Sequence, residues 1–165
     1  MGTRYKIAGM VASAALLVAL ATHEGYTPTA VIPVKGDVPT VGFGSTVKED
    51  GVPVRMGDTT TPVQALQRTL AHIQNDESGI KRCVTAPLAQ AEYDVMVDFS
   101  YQYGVKALCS SSIAKLANAG DYVGSCQAYA KFRYVSGRDC AIRSNGCYGV
   151  WTRQQARIAK CTGAQ

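Results

Sequence analysis

Glu24 is the residue whose position most strongly suggests chemistry. It follows fifteen uncharged residues, Ile7 to Ala21, with only Thr22 and His23 in between. Burial beside an apolar segment penalises the charged form of a carboxyl group, and a carboxyl that keeps its proton near neutral pH can act as a general acid. The alternative is a solvated carboxylate at the end of a helix. The position alone favours the solvated carboxylate.

The apolar segment resembles an export signal, because Arg4 and Lys6 precede it. Eight of its fifteen residues are Ala, Gly or Ser, so its drive to stay in a bilayer is weak. At ~1.5 Å per residue a helix of this length spans about 22 Å, against ~30 Å of hydrocarbon. Three interpretations remain open: a signal cleaved after Ala19-Leu20-Ala21, an uncleaved anchor, or a core helix of a soluble domain.

The six cysteines all lie in the second half of the chain: Cys83, Cys109, Cys126, Cys140, Cys147 and Cys161. An even number behind an export signal predicts up to three disulfides in an oxidising compartment. Reduced thiols or a zinc site are the alternatives, but the closest spacing is Cys140-x6-Cys147, and His23 and His72 are remote from it. No metal site is therefore expected, and the disulfide pairing stays open.

The composition indicates a globular domain, with 47% hydrophobic and 18% charged residues in 165. The formal net charge of +5 favours an anionic partner, such as a cell-wall polymer or lipid head groups. The basic residues are scattered rather than clustered with aromatic ones, which argues against nucleic acid.

The residue pattern predicts an α+β fold that is mainly α. Turn signals such as Gly36-Asp37 and Gly42-Phe43-Gly44 predict a small β-hairpin lobe at about 26–58. A larger helical lobe follows at about 60–165. Its helices are expected from Pro62 to Asp76 or Ser78, from near Pro87 to Gly104, from Ser110 or Ser111 to Ala119, from Asp121 to Phe132 and from Thr152 to Lys160. Glu24 is expected at the junction of the lobes, where substrates commonly bind.

Several motifs resemble those of one enzyme family. His23-Glu24-Gly25-Tyr26 and the segment from Pro39 to Thr46 are similar to the Glu-Gly and Thr-Ile-Gly-Tyr-Gly-His-Thr motifs of phage-type lysozymes, glycoside hydrolase family 24. Segments 90–99, 111–122 and 149–156 resemble the family's helical core and closing motif. The resemblance implies a lysozyme fold and a cofactor-independent endolysin (muramidase) that hydrolyses β-1,4 bonds between N-acetylmuramic acid and N-acetylglucosamine of peptidoglycan in host cell lysis.

The resemblance also implies roles for three residues. Glu24 would be the general acid. The family usually has an Asp nine positions after this Glu, but Pro33 stands there and the loop is one residue longer. Asp37 is the only carboxylate in the loop, and with Thr40 it would hold the attacking water, although Asp37 is alternatively a turn residue. Two alternatives to a hydrolase remain. Without a base, the enzyme would resemble lytic transglycosylases, and without catalysis the protein would be a secreted wall-binding module.

Two further residues are substrate-binding candidates. Gln102 occupies a position where the family often has Asn, and its alternative is an ordinary surface amide. Arg153 lies in the closing motif, where it would pair with a carboxylate near the active site or cap a helix.

The family fold favours an uncleaved N-terminal segment, because cleavage after Ala21 would remove the helix that leads into Glu24. The chain then resembles signal-anchor-release endolysins. Residues 1–22 would tether residues 23–165, the catalytic domain, to the host inner membrane on its periplasmic side. After release, the segment would become the first helix of a soluble, monomeric periplasmic enzyme.

Overall fold

The structure is a computed structural model that describes residues 2–33 and 36–165. It divides into two compact units, one of residues 1–11 with 76–165 and one of residues 12–75. Helices dominate the described residues, and the strands form two separate antiparallel pairs. The predicted α+β, mainly α, fold class is therefore confirmed. Residues 34 and 35, in the loop where the sequence departs from the family pattern, lie outside the described residues.

The apolar N-terminal segment is not one continuous helix. A short 3-10 turn covers Ile7–Gly9, and helix α1 covers Ala14–Glu24. The break arises because Met10 is extended and Ser13 caps a new helix, its hydroxyl accepting a hydrogen bond from Leu16 N at 3.1 Å. The prediction that a helix ends at Glu24 is confirmed. In the described part of the chain, no helix has the length and apolar character required to cross a bilayer.

Residues 2–11 pack within the unit that contains 76–165. Tyr5 and Leu88 exchange two backbone hydrogen bonds of 2.9 Å, and Gly2 N donates to Ala164 O at 2.9 Å. The side chains of Ile7 and Met10 are buried. The start of the chain is therefore fixed at several points along its length.

In the unit of residues 12–75, strands β1 (Thr27–Val31) and β2 (Thr40–Gly42) pair antiparallel. The register places Thr27 opposite Gly42 and Val31 opposite Thr40. Alternating residues face a small core formed by Ala30, Val41 and Val54. The predicted β-hairpin region is confirmed.

Helix α2 covers Pro62–Cys83 and passes from this unit into the other. Thr61 begins it as expected: its hydroxyl accepts a hydrogen bond from Gln64 N at 3.3 Å, and the Gln64 side chain accepts one from Thr61 N. The predicted end at Asp76 or Ser78 is wrong. Glu77 is buried and accepts a hydrogen bond from Tyr93 OH at 2.9 Å, so these polar residues lie inside the helix.

Five further helices form most of residues 76–165: α3 (Gln90–Tyr103), α4 (Val105–Ser110), α5 (Ser112–Asn118), α6 (Tyr122–Gln127) and α7 (Tyr148–Thr162). The sequence predicts α3, α5 and α7 with shifted ends, and it misses α4. The helix predicted for 121–132 ends at Gln127 because the chain tightens into a 3-10 turn, Ala128–Lys131.

A second hairpin, absent from the sequence prediction, joins β3 (Tyr134–Val135) to β4 (Arg138–Asp139). Its two-residue turn is Ser136-Gly137, and both residues have positive φ, +49° and +76°. Such turns match the natural twist of two paired strands. The Ser136-Gly137 pair is the sequence signal that could have predicted this hairpin.

All six cysteines form disulfides within the unit that contains 76–165: Cys83–Cys109, Cys126–Cys161 and Cys140–Cys147. The prediction of up to three disulfides is confirmed. The Cys140–Cys147 bridge lies directly after the β3–β4 hairpin.

Candidate active site

Glu24 is the last residue of α1, and its side chain is exposed. Gly25 follows with φ +69°, a conformation that glycine adopts at low cost, and the chain then turns into β1. The hydroxyl of Tyr26 donates a 2.8 Å hydrogen bond to Thr60 O, and its ring lies 5.5 Å from that of Phe43. These contacts fix the chain directly after Glu24.

The turn after β2 approaches the Glu24 carboxylate. Val41 and Ser45 exchange two backbone hydrogen bonds of 3.0 Å, which close a tight turn around Gly44. Gly44 has φ +81°, and a β-carbon built on it would lie 3.8 Å from Glu24 Oε2. The backbone of the predicted Gly-Phe-Gly motif therefore lies beside the carboxylate.

Gly42 is required for a different reason. A β-carbon there would lie only 2.7 Å from the β-carbon of Ala65 on α2. Glycine permits this close approach of strand and helix, and the approach holds β2 in place. The two glycines of the motif thus have separate structural roles.

Thr40 lies on the same ribbon as the Gly42–Gly44 turn. It stands opposite Val31, half-buried, and its hydroxyl lies 3.5 Å from Val31 O, at the limit of a hydrogen bond. The two residues from Thr40 to Gly42 correspond to roughly 7 Å along a strand. Thr40 thus begins β2, and the Gly44 turn beside Glu24 follows the other end of the same short strand.

Asp37 lies in the loop between the strands and is exposed. Its Oδ1 accepts a 2.8 Å hydrogen bond from Val38 N. A bond from the Asp37 carboxylate to nearby backbone agrees with the turn-residue alternative. A catalytic role for Asp37 stays a prediction.

Gln102 and Arg153, the two substrate-binding candidates, belong to the other unit and share one polar network. Arg153 Nη2 lies 2.9 Å from Asp98 Oδ1, so Arg153 pairs with a carboxylate on α3. Gln102 accepts a 2.8 Å hydrogen bond from Arg157 Nη2, and Arg157 Nε lies 2.5 Å from Asp98 Oδ2. Substrate binding by either candidate stays a prediction.

Asp98 holds this network together. Burial by itself would raise the pKa of its carboxyl group, but the charges of Arg157 and Arg153 and their hydrogen bonds outweigh burial and hold the pKa below its usual value. Asp98 is thus a stable anion that joins α3 to α7.

The sequence did not identify Asp98, Arg157 or Glu92 as important residues. The available signal was an acidic residue inside an otherwise apolar helix: Glu92, Asp94 and Asp98 interrupt a run that includes Val95 and Phe99. Buried charges require partners, and such interruptions predict ion pairs. Within residues 2–33 and 36–165, no group of three or more His, Cys, Asp or Glu side chains is placed to hold a metal ion.

Comparison with known proteins identifies the family. A family model described as phage lysozyme matches residues 21–157. The chain belongs to the phage lysozyme family. Membership makes the protein a glycoside hydrolase of the lysozyme type, with peptidoglycan as its substrate, and it confirms the resemblance seen in the motifs.

Similar proteins of phages support the assignment. A SAR-endolysin of Pseudomonas phage phiKMV is 32% identical over 151 residues, which cover 91% of this chain and 88% of that protein. An endolysin from Escherichia coli O157:H7 phage FAHEc1 has a TM-score of 0.79 at 28% identity, with 96% of both chains covered. A P22 lysozyme variant has a TM-score of 0.77 at 25% identity, covering 93% of this chain and 99% of that one.

Proposed function

We propose that this phage lysozyme is an endolysin that cleaves the β-1,4 bond between N-acetylmuramic acid and N-acetylglucosamine, with Glu24 as the general acid. The observation that supports Glu24 most directly is its carboxylate beside the Gly44 backbone, within the motif that resembles the family. A side chain at position 44 would crowd this carboxylate, and glycine keeps that space clear.

In the proposed reaction, Glu24 gives its proton to the glycosidic oxygen as the bond to the anomeric carbon breaks. A water molecule attacks that carbon from the opposite face, and a base takes the proton that the water loses. We assign orientation of the water to the Thr40 hydroxyl and the base function to Asp37. The marginal hydrogen bond from Thr40 to Val31 O leaves this hydroxyl able to bond water instead.

The Glu24→Gln variant tests the acid. Loss of a general acid lowers the rate of peptidoglycan clearing by about 10²–10⁴-fold. Asp50→Asn is the control: Asp50 is an exposed turn carboxylate of the same unit, and an asparagine oxygen can still accept its 3.0 Å hydrogen bond from Val52 N. Unchanged clearing by Glu24→Gln would exclude the assigned acid.

Product analysis separates the alternatives. Hydrolysis leaves a reducing sugar end, transglycosylation leaves an anhydro sugar, and a wall-binding module leaves no product. Asp37→Asn and Thr40→Val should each lower the hydrolytic rate by about 10²-fold, with Thr29→Val on β1 as the control for Thr40. Full hydrolytic activity of Asp37→Asn would show that Asp37 is a turn residue and not the base.

We assign activation to release of the N-terminal segment from the inner membrane. In the structure, Arg4 is held in the unit that contains 76–165: its Nη2 lies 2.7 Å from Glu92 Oε1, and its guanidinium lies 3.7 Å from the centre of the Tyr122 ring. In a tethered state, the same basic residue would stay on the cytoplasmic side. The two positions exclude each other, which supports the described conformation as the released one.

Isolation of the protein from the periplasm tests release, with the N-terminus and the lytic activity determined on the same sample. An active enzyme that retains residues 2–11 is the expected result. An active enzyme that begins at Thr22 would show a cleaved signal peptide instead, and it would overturn the release mechanism without affecting the assignment of Glu24.

A further inference from the structure

The charge of the molecule is concentrated in one unit. Residues 1–11 and 76–165 contain thirteen Lys and Arg residues against seven Asp and Glu, whereas residues 12–75 contain four against five. The net positive charge of the protein therefore comes from the mainly helical unit.

Most acidic residues of this unit do not reach its surface. Asp76, Glu77, Glu92 and Asp94 are buried, and Asp98 is paired with two arginines. The basic residues, by contrast, are largely exposed. The surface of the unit is thus more cationic than its sequence suggests.

One exposed element combines this charge with apolar side chains. We call residues 131–148 the stapled hairpin, because they comprise the β3–β4 ribbon and the loop closed by Cys140–Cys147. It carries four basic residues, Lys131, Arg133, Arg138 and Arg143, and one acidic residue, Asp139. Three of its large apolar or aromatic side chains are exposed: Tyr134 (55%), Val135 (37%) and Ile142 (52%).

The single carboxylate of the stapled hairpin neutralises only one of these cations. Asp139 Oδ1 lies 3.1 Å from Arg133 Nε, whereas Arg138 and Arg143 are exposed. Arg138 stands opposite Val135 across the ribbon, which places a cation and an apolar side chain on one face. Arg143 lies 3.9 Å above the centre of the Tyr148 ring.

Internal bonds order the stapled hairpin in the absence of a partner. The Cys140–Cys147 disulfide closes the loop, Cys140 N donates a 2.8 Å hydrogen bond to Arg133 O, and the Asn145 side chain donates one of 2.8 Å to Asp139 O. A surface that is already ordered loses little conformational entropy on binding.

We propose that the stapled hairpin is a docking surface for a bilayer that contains anionic phospholipids. Phosphate head groups attract the exposed arginines, and the region between head groups and acyl chains accepts Tyr134, Val135 and Ile142. Aliphatic side chains gain little from a hydrated polymer such as a glycan or a nucleic acid, so their exposure beside cations favours lipid. This property is separate from bond cleavage and does not require it.

Vesicle binding tests the proposal with the purified full-length protein. The probes are vesicles of phosphatidylcholine and vesicles of phosphatidylcholine mixed with phosphatidylglycerol. Sedimentation measures the bound fraction. Trp151, the one tryptophan of the chain, lies beside the stapled hairpin, with Arg133 5.8 Å from its ring, so its emission reports contact of the hairpin with lipid. We expect stronger binding to the anionic vesicles and an emission shift to shorter wavelength.

Two variants locate the surface. Arg138→Ser with Arg143→Ser should weaken partitioning to anionic vesicles by about 30-fold, because each basic residue near an anionic surface strengthens binding by between about five- and sixfold. Ile142→Ser should also weaken it. The matched control is Lys106→Ser with Lys115→Ser, which removes the same charge from exposed positions of the same unit and should retain most of the binding.

An equal loss in the control pair would overturn the proposal, because it would show attraction by net charge alone. Unchanged vesicle binding by the arginine variant, or a loss confined to binding of isolated peptidoglycan, would also overturn it. All variants should keep lysozyme activity on isolated peptidoglycan. Vesicle binding without such activity in the unmodified protein would refute the proposed function and leave the docking surface intact.

Discussion

Glu24 Oε2 lies 3.8 Å from the point at which a β-carbon on Gly44 would stand. The carboxylate at the end of α1 and the turn after β2 are therefore neighbours, although twenty residues separate them in the sequence. The hydrogen bonds between Val41 and Ser45 hold the turn in this position.

Gly44→Ala should reduce activity beyond its effect on stability. The positive φ makes an alanine cost roughly 1 kcal/mol, and its methyl group would occupy space beside the Glu24 carboxylate, which we expect to lower kcat/KM about tenfold. Gly57→Ala is the control, since Gly57 has φ +93° but nothing within 4 Å of its β-carbon position. Thermal unfolding and peptidoglycan clearing measure the two effects. Equal losses of activity in both variants would show that strain alone is responsible.

Arg4→Gln should destabilise the enzyme in the described conformation. Glu92 has a nearly fully buried side chain, and removal of its charged partner should cost about 2 kcal/mol, or about 4–8 °C in Tm. Lys6→Gln removes the same charge from an exposed position two residues away and should leave Tm unchanged. Thermal unfolding of the purified variants measures Tm. Equal Tm values for Arg4→Gln and the unmodified protein would show that the Arg4–Glu92 pair does not stabilise the fold.

Asp98→Asn should cost about 3 kcal/mol of unfolding free energy at pH 7, because two arginines lose their anionic partner. The folded pKa of Asp98 is lowered, so its contribution is complete above the unfolded pKa of about 3.9 and disappears as the pH falls through the folded pKa. The difference between the original protein and the variant should therefore shrink below about pH 4. Urea unfolding at several pH values measures it, with the exposed helix cap Asp121→Asn as the control. If the difference in unfolding free energy did not change with pH, the Asp98 carboxylate would not stabilise the fold through its charge.

Leucine at positions 8, 9, 14 and 15 should hold the protein in the membrane without lytic activity. Ala8, Gly9, Ala14 and Ala15 are exposed in the described conformation, so leucine strengthens lipid binding without disturbing a packed core. Serine at the same four positions is the control, and it should permit release and lysis. Fractionation and cell lysis measure the outcome. Full lysis by the membrane-bound leucine variant would exclude activation by release.

The sequence predicted those elements whose signals are local. Thr61-Pro62 marks the start of α2, and the glycines around Phe43 mark the β-hairpin region, because capping and turn conformations depend on a few neighbouring residues. The end of α2 could not be predicted in this way. Glu77 looks like a surface residue near a helix end until its buried hydrogen bond with Tyr93 is known.

The candidate site was predicted to a similar extent. Glu24 and Thr40 were singled out by their motifs, whereas the Asp98 network depends on how α3 packs against α7. The disulfide pairing also depends on packing. The break after Met10 was missed because the apolar residues on either side of Ser13 form an uninterrupted run.

The two units divide the N-terminal segment between Val11 and Ala12, which matters for the proposed tethered state. Residues 2–11 complete one unit and α1 belongs to the other. If a bilayer held residues 2–24, one unit would lack residues 2–11 and the other would lack α1. Release of only one of these two segments would complete only one unit. In the proposed release mechanism, α1 would form with Glu24 at its end, and Arg4 would pair with Glu92, only after the entire stretch has left the lipid.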